Sequence, residues 1–346
     1  MSLSKGRFLF YAPNVHTGGG LVLLQEILSS WPSDLPFIAW LDVRAQGSLN
    51  LPDNFKVEWV SPSFSSRLKS EIKLANDGAS NDRVLCFHGL PPLLRNRAKI
   101  IVFLQNRNYL GLVPLQDFSW RTRRRLWFEQ MVARMFSGRC SEYWVQTPSM
   151  AREVMKLYGK KSFPVHVLAF SQSLPQIDRS ERVHWDFLYP ADGESHKNHR
   201  CLVEAWVLLS QNGCKPSLAL TLTVRDAFLL NWIEKQIMAY GLNIAILGHL
   251  PYDEMVSAYG KSSALIFPSI SESFGLPLIE ARQAGLPILA SELDYVRDVC
   301  EPVQTFDPNS PTSIARAVRR FIGKVEIPLH PVSASEFITA VRAGLT

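Results

Sequence analysis

The chain has 346 residues, 47% of them hydrophobic, which favours two domains with proper cores over a single domain. Its formal net charge of +6 favours an anionic partner, and the lack of any uncharged apolar window of 18 residues predicts no transmembrane helix. Five scattered cysteines without a C-x-x-C pair argue against a disulfide framework and a structural zinc site, and they fit a reducing cytoplasm.

In the N-terminal half, short apolar runs bounded by turn residues alternate with helix-like stretches. The predicted strands are Arg7–Tyr11, Phe37–Leu41, Val57–Val60, Arg83–Phe87, Ile100–Leu104, Tyr143–Gln146 and Val165–Ala169. The first strand leads through a Gly18–Gly20 turn into a helix at Leu21–Ser30, and another helix is predicted at Ser149–Tyr158. This alternation is typical of a parallel sheet with helices on both faces, and we assign it to an N-terminal domain of residues 1–172.

A second series of strands and helices makes up the C-terminal domain, residues 173–346. It follows Ser171–Arg182, a polar, proline-containing stretch without periodicity that is the candidate linker. The predicted strands are Phe187–Pro190, Ser217–Val224, Ile244–Leu247, Ala264–Phe267 and Pro287–Ala290. The predicted helices are Cys201–Ser210, Asp226–Tyr240 and a terminal helix at Ser333–Gly344, for which packing back on the N-terminal domain is one option.

The segment from Phe267 to Ser291, FPSISESFGLPLIEARQAGLPILAS, says most about function. Its two glutamates, Glu272 and Glu280, flank a Ser-Phe-Gly-Leu-Pro turn, and the second lies in the helical stretch that follows. The order of strand, tight turn and helix start places free backbone N–H groups beside a carboxylate at the C-terminal edge of a sheet. Phosphorylated ligands bind at that edge in α/β folds.

These motifs resemble the retaining glycosyltransferases of family 4, also called glycosyl transferases group 1, in particular those of bacterial surface-polysaccharide and O-antigen type. The resemblance rests on the E-x7-E segment, on GLPILAS, on GHLPYDEMVSAYGKSSALIFPS and on the lysine loop YPADGESHKNH, which occur in the family's order. The N-terminal half matches only in the Gly18–Gly20 loop and the strand rhythm. The resemblance implies the GT-B architecture, in which two Rossmann-like α/β domains face each other across a cleft.

The resemblance also implies roles for three charged residues in binding a nucleotide sugar. Glu280 would accept hydrogen bonds from the ribose hydroxyls, because a carboxylate can take two donors from a vicinal diol. Glu272 would contact a hydroxyl of the donor sugar, and Lys197 would neutralise the leaving diphosphate. Ordinary exposed side chains on a loop or a first helical turn are the alternative for each.

Glycine-rich turns supply the remaining donor contacts that the resemblance implies. Phe274, Gly275 and Leu276 would offer backbone N–H groups near the donor, and Gly18, Gly19 and Gly20 would lie against its phosphates. Many family members carry an arginine shortly before the lysine, but this chain has none there. Arg225 is the candidate substitute, and an ordinary surface arginine at a helix start is an equally weighted alternative.

Three polar residues after buried strands are further candidates. Gln105 and Asn106 stand about where many relatives have a histidine that touches the reacting sugar, so that histidine's role does not carry over, and either amide could contact donor or acceptor. His88, after the preceding strand, could face the cleft on the acceptor side. A satisfied, partly buried polar residue is the alternative in each case.

A basic and aromatic run, Trp120–Phe128, is the candidate for contact with an acceptor or a membrane. Its Arg121, Arg123, Arg124 and Trp127 could bind an anionic membrane surface or a diphosphate-lipid acceptor, and a solvated basic helix face is the equally weighted alternative. No nucleic-acid module surrounds the run, so no nucleic-acid partner is expected.

Together, the residues and the resemblance predict a metal-independent retaining glycosyltransferase without a cofactor. No D-x-D pair is present, which disfavours the metal-dependent class. The predicted reaction moves a sugar from a nucleotide-sugar donor, of GDP-mannose type as the specific expectation, to a glycan or lipid-linked saccharide in the cytoplasm, with peripheral binding at the inner face of the membrane as an option. The alternatives are a sugar-nucleotide epimerase or hydrolase on the same fold, and a catalytically silent donor- or glycan-binding subunit.

Overall fold

The computed structural model of the protein describes residues 6–324 apart from 34, 53, 112–119, 160–162, 176 and 178–182, together with residue 338. These residues form two parallel sheets, one in each half of the chain, with helices around them. The predicted pair of Rossmann-like α/β domains is therefore confirmed. None of the described helices is long and apolar enough to cross a bilayer.

The N-terminal sheet has seven strands among the described residues, all paired in parallel. They are β1 (Phe8–Ala12), β2 (Ile38–Asp42), β3 (Lys56–Val60), β4 (Arg83–Cys86), β5 (Lys99–Leu104), β6 (Glu142–Val145) and β7 (Val165–Val167). Their order across the sheet is β3-β2-β1-β4-β5-β6-β7. The accompanying helices are α1 (Gly18–Ser29), α2 (Phe64–Asp77), α3 (Trp120–Phe136) and α4 (Pro148–Tyr158).

The central strands of this sheet are apolar because both of their faces are covered. β5 reads KIIVFL and is buried after its first residue, as expected for a strand inside a parallel sheet. On one face α1 buries Leu24 and Leu28, and on the other α4 buries Met150 and Val154. The two faces thus carry separate apolar clusters, and the edge at which the strands end remains for ligands.

The C-terminal sheet repeats this arrangement with six described strands. They are β8 (Trp185–Tyr189), β9 (Leu218–Leu220), β10 (Ile244–Ile246), β11 (Ser262–Phe267), β12 (Ile288–Ser291) and β13 (Gln304–Phe306), in the parallel order β10-β9-β8-β11-β12-β13. The helices are α5 (His199–Gln211), α6 (Ala227–Tyr240), α7 (Tyr252–Gly260), α8 (Leu276–Gln283), α9 (Asp294–Arg297) and α10 (Pro311–Phe321).

Each sheet changes direction next to its first strand, and that change locates its binding edge. The order reverses between β1 and β4 in one sheet and between β8 and β11 in the other. Loops leaving neighbouring strands in opposite directions open a crevice at the carboxyl end of the sheet, which is where ligands bind in such folds. The loops after β8 and β11 carry Lys197 and Glu272, respectively.

Some predicted boundaries differ from the structure. The strand predicted at Ser217–Val224 ends at Leu220, because Thr221 Oγ1 binds the backbone of Ala191 and Thr223 caps a short 3-10 turn. The predicted glycine turn at residues 18–20 is instead the first turn of α1. β13 and the helices α2, α7, α9 and α10 were not predicted.

The predicted division of the chain falls between the two sheets, in residues 168–184. The exact boundary between residues 172 and 173 stays a prediction. The predicted terminal helix lies almost entirely outside the described residues, and its packing on the N-terminal domain lies outside them as well.

Candidate functional site

The loops after β8 and β11 are joined by backbone hydrogen bonds at the switch point of the C-terminal sheet. The Ile270 N–H donates to the carbonyl oxygen of His196 at 2.9 Å, and Ser269 Oγ lies 3.1 Å from the same oxygen. The two loops therefore form one wall of the crevice. Residues 75 positions apart in sequence, Lys197 and Glu272, become neighbours on it.

Lys197 and Glu272 form a largely buried ion pair. The Lys197 ammonium donates to Glu272 Oε1 at 2.8 Å, and Ser269 Oγ lies 2.6 Å from the same oxygen. The side chains are only 18% and 11% exposed. Burial by itself would lower the pKa of Lys197, but the Glu272 carboxylate outweighs burial and raises the pKa above its usual value. Lys197 is therefore charged at neutral pH and is paired with the Glu272 carboxylate until another anion takes its place.

The backbone around Lys197 is held in place by side chains on neighbouring elements. Asn198 is left-handed, with φ +63°, and its amide donates to the carbonyl oxygens of Pro268 at 3.2 Å and Pro308 at 2.7 Å. The Tyr189 hydroxyl donates to the Lys197 carbonyl oxygen at 2.7 Å. These contacts fix the direction of the ammonium before any ligand arrives, which is the arrangement that electrostatic stabilisation requires.

Glu280, on α8, is the second carboxylate of the crevice and is held by a tyrosine. The Tyr259 hydroxyl, at the end of α7, donates to Glu280 Oε2 at 2.6 Å, and the Tyr259 side chain is fully buried. Burial raises the pKa of Glu280, and the hydrogen bond from Tyr259 offsets part of this effect. Tyr259 lies within the segment that carried the family resemblance, but the sequence alone gave it no role.

The turn between the two glutamates requires a glycine. Gly275 has φ +74° and precedes the first turn of α8, whose backbone N–H groups have no partners within the helix. A Cβ at this position would lie 3.0 Å from Leu278 Cδ1. The Phe274 side chain packs into the C-terminal core, so this residue has only its backbone to offer a ligand.

The N-terminal domain approaches the same turn from the other side of the crevice. The first turn of α1 contains Gly18, Gly19 and Gly20, and a Cβ on Gly19 would lie 2.9 Å from the Leu276 side chain. The Arg107 N–H donates to Ser273 Oγ at 2.7 Å. The starts of α1 and α8 thus face each other, so that free N–H groups of both domains border one crevice.

The remaining predicted residues on this side have local partners. Gln105 donates to the Phe87 carbonyl oxygen at 2.6 Å, while its Oε1 lies near Gly20. Asn106 Oδ1 accepts from the N–H of Asn108 and so caps its own 3-10 turn. Gln105 therefore lies beside the first turn of α1, whereas the side-chain oxygen of Asn106 is already hydrogen-bonded to the backbone.

His88 and Arg225 lie farther from the ion pair. The His88 ring contacts the Tyr11 carbonyl oxygen at 3.3 Å, and burial lowers its pKa to about 4, so the ring is neutral near pH 7. Arg225 is exposed after β9. Its loop adjoins the loop of Lys197, because the Gly193 N–H donates to Asp226.

Arg121, Arg123, Arg124 and Trp127 are all exposed on α3. They lie on the outside of the N-terminal domain rather than in the crevice. In the part of the chain that the structure describes, no group of three or more His, Cys, Asp or Glu side chains is placed to hold a metal ion.

Comparison with known proteins relates the crevice to a family. Residues 176–329 match the family model described as glycosyl transferases group 1. A segment of 80 residues is 39% identical to the serotype-specific mannosyltransferase WbdA of Escherichia coli, covering 23% of this chain and 10% of that protein. Another of 56 residues is 34% identical to the O-antigen chain mannosyltransferase RfbU of Salmonella typhimurium, covering 16% of each. This chain therefore aligns with less than a fifth of either relative.

Among solved structures, the fold is similar to that of Anabaena HepE, solved in complex with UDP and glucose. The two share 15% sequence identity and a TM-score of 0.64, over 92% of this chain and 90% of the other. Similarity over this length shows that the fold of both domains is shared.

Proposed function

We propose that this protein is a glycosyltransferase that uses a nucleotide-sugar donor, because residues 176–329 match the glycosyl transferases group 1 model and both domains together have the GT-B fold. The observation that carries the proposal is the meeting of the Lys197–Glu272 pair with the glycine turn before α8 in one crevice. A buried cation beside free N–H groups suits a diphosphate, and nearby carboxylates suit sugar hydroxyls.

In the proposed donor complex, each charged group has one task. Glu280 accepts hydrogen bonds from the ribose hydroxyls through the oxygen that Tyr259 leaves available. The ammonium of Lys197 stabilises the negative charge that develops on the leaving phosphate as the sugar–phosphate bond breaks. Glu272 turns from Lys197 toward a donor-sugar hydroxyl, and Arg225 is the second cation offered to the phosphates.

We favour a metal-independent reaction that retains the anomeric configuration. Glu272, once released from Lys197, is assigned to a hydroxyl of the donor sugar rather than to its anomeric carbon, so no protein carboxylate is assigned as the nucleophile. Without a protein nucleophile, the leaving phosphate assists the incoming hydroxyl on the same face of the sugar, while the protein contributes positioning and fixed charge. Analysis of the product's anomer by NMR tests this step, and an inverted product would contradict it.

A mannose donor and a surface-polysaccharide acceptor are the finer parts of the proposal. They are supported by the names of the two sequence relatives, since both are mannosyltransferases and RfbU is named an O-antigen chain mannosyltransferase. The structural relative HepE was solved with UDP, so the nucleotide base must be tested rather than assumed. A glycan or a lipid-linked saccharide is the proposed acceptor, met in the cytoplasm at the inner face of a membrane.

The donor site is tested by calorimetry with GDP-mannose, UDP-glucose and a dTDP-sugar, with NAD as the negative control. We expect one nucleotide sugar to bind, and Glu280→Ala to weaken that binding by about 1–3 kcal/mol, the cost of a lost buried hydrogen-bond partner. Glu234→Ala, which removes an exposed glutamate from α6, is the matched control and should bind as wild type does. Equal binding by Glu280→Ala would refute the assignment.

Incubation with the bound nucleotide sugar separates the alternative functions. Conversion or hydrolysis of the sugar nucleotide without any acceptor would indicate the epimerase or hydrolase. Tight binding without turnover across lipid-linked and glycan acceptors would indicate a silent binding subunit. Transfer that depends on acceptor is the result expected of a glycosyltransferase.

A further inference from the structure

Helix α3 exposes an apolar stripe where a surface helix normally presents polar residues. Trp120, Trp127 and Met135 are each 61% exposed, and Phe128 is 55% exposed. The helix is anchored on its opposite side, where Leu126 is among the residues it buries in the N-terminal domain. Large apolar side chains gathered on one outer face indicate an interaction surface rather than chance exposure.

The helical period gathers these residues on one side of α3. At 3.6 residues per turn, the exposed residues and the partly buried Met131 fall within an arc of about 100°. Arg123 lies on one border of that arc, Arg121 on the other, and Arg124 within it, all three exposed. We call this set the α3 face: Trp120, Arg121, Arg123, Arg124, Trp127, Phe128, Met131 and Met135.

The charge and aromatic content of the α3 face select its partner. The helix carries five arginines and one glutamate, so the partner must be anionic. Tryptophans among apolar side chains, bordered by arginines, match the interface of a bilayer, where rings lie at the level of the headgroups. A depression of about 420 Å³, lined by Trp127, Gln130, Met131, Arg134 and Met135, adds a recess that combines apolar and cationic side chains on this side of the helix.

Two other partners suit this face less well. A second copy of the chain would set arginines against arginines across a two-fold axis. Nucleic acid would require bare aromatic rings for stacking, whereas the guanidinium groups of Arg121 and Arg124 lie 5.5 and 5.9 Å from the centre of the Trp120 ring.

The position of α3 links this surface to the crevice. Gln130, on α3, donates to the Asn108 carbonyl oxygen at 2.9 Å. Asn108 lies in a short 3-10 turn with Arg107, and the Arg107 N–H donates to Ser273 in the loop before α8. A helix of 17 residues is about 26 Å long, so a bilayer lying along it would be close to the opening of the crevice.

From these observations we infer that the α3 face docks on an anionic phospholipid bilayer and holds the crevice beside the headgroups. Lipid binding does not require catalysis, but the use of this surface to meet a lipid-linked acceptor rests on the glycosyl transfer proposed above. A failure of membrane docking can therefore be distinguished from a failure of the proposed glycosyl transfer.

Sedimentation of the full chain with phosphatidylcholine vesicles, with and without phosphatidylglycerol, tests the docking. Wild type should bind only the anionic vesicles, and binding should weaken as salt is raised. The variant R121Q/R123Q/R124Q should bind them roughly 100-fold more weakly, because each arginine near an anionic surface contributes about fivefold. W120S/W127S should lose at least about tenfold, because its apolar contact is removed.

Two controls make the test specific. The variant K69Q/K156Q/K235Q removes the same charge from exposed lysines elsewhere, and F228S removes an aromatic side chain that is 83% exposed on α6. Both should bind vesicles as wild type does. All variants should keep the wild-type melting temperature and nucleotide-sugar affinity, because no altered residue lies in the crevice.

Several results would overturn the docking. They are wild type failing to bind anionic vesicles, the lysine control losing as much affinity as the arginine variant, and wild type binding single-stranded nucleic acid more tightly than vesicles. Self-association of wild type that is abolished by W120S/W127S would assign the surface to a second copy instead.

Discussion

Replacing Tyr259 by phenylalanine removes one hydroxyl and isolates the positioning of Glu280. The ring is fully buried, so its packing should survive, and the loss is the 2.6 Å hydrogen bond to Glu280 Oε2. A hydrogen bond to a charged group contributes about 1.5–3 kcal/mol. Because this hydrogen bond is present before the donor binds, only the lost positioning of the carboxylate and its raised pKa reduce donor affinity, so we expect the lower end, a loss of about 1.5 kcal/mol or roughly tenfold near pH 7.

The pH dependence distinguishes this role from general damage to the site. Burial raises the pKa of Glu280 and Tyr259 opposes that rise, so the variant should raise the pKa of Glu280 further. Because the donor requires the carboxylate, affinity falls as pH drops through this pKa, and in the variant it should fall at a higher pH.

Calorimetry from about pH 5, close to the ordinary pKa of a glutamate, up to about pH 8, with the nucleotide sugar that wild type binds, measures the effect. The control is Tyr143→Phe, another buried tyrosine, which lies in the N-terminal sheet. Affinities equal to wild type at every pH, or a loss that does not change with pH, would refute the reasoning.

Three further substitutions test the crevice and the core beneath it. Lys197→Met should lower kcat about 10²–10³-fold through loss of charge stabilisation in the transition state, and steady-state kinetics with unchanged kcat would contradict that role. Gly275→Ala should cost about 1–2 kcal/mol in urea unfolding because φ is +74° there, and wild-type stability would show that the turn relaxes without cost. Burial lowers the pKa of His199 to about 3, and neither ring nitrogen has a hydrogen-bond partner among the described residues. The folded pKa lies below the unfolded value of about 6.5, so stability is fully present above pH 6.5 and is lost as pH falls, by about 2–3 kcal/mol down to pH 4.5. His199→Phe should remove that part of the pH dependence, and an unchanged slope would show that other groups cause it.

The strand pattern and the order of four motifs in the C-terminal half were sufficient to predict the architecture. Apolar runs of four to six residues between turn signals located the strands of the N-terminal sheet within about two residues, because buried parallel strands are apolar on both faces. β13 escaped prediction because it is three residues long, Gln304–Phe306, and mostly half-buried. α10 was not predicted, although the spacing of its apolar residues is typical of a helix with one buried face.

Contacts between residues far apart in the chain could not be predicted from the sequence. The pairing of Lys197 with Glu272 depends on which strands neighbour β8, and the sheet order decides this rather than any local pattern. The contact of Tyr259 with Glu280 requires α7 and α8 to meet in space. Asn106 differs because its contact is local: its Oδ1 accepts from the N–H of Asn108 and caps the turn. Its position in the motif did not show that this oxygen is already hydrogen-bonded.

The geometry of the crevice also implies an order of events on donor binding. Lys197 and Ser269 both lie against Glu272 Oε1, so a diphosphate that takes the ammonium must release this carboxylate, which is then available for a sugar hydroxyl. In the same loop, Ser273 is bound by the N–H of Arg107 from the other domain. If the proposed donor binding is right, one short loop responds to the phosphate through Glu272 and to the N-terminal domain through Ser273. We therefore predict that donor binding and movement of the domains are coupled, and that Lys197 stays paired with Glu272 until a diphosphate replaces that carboxylate.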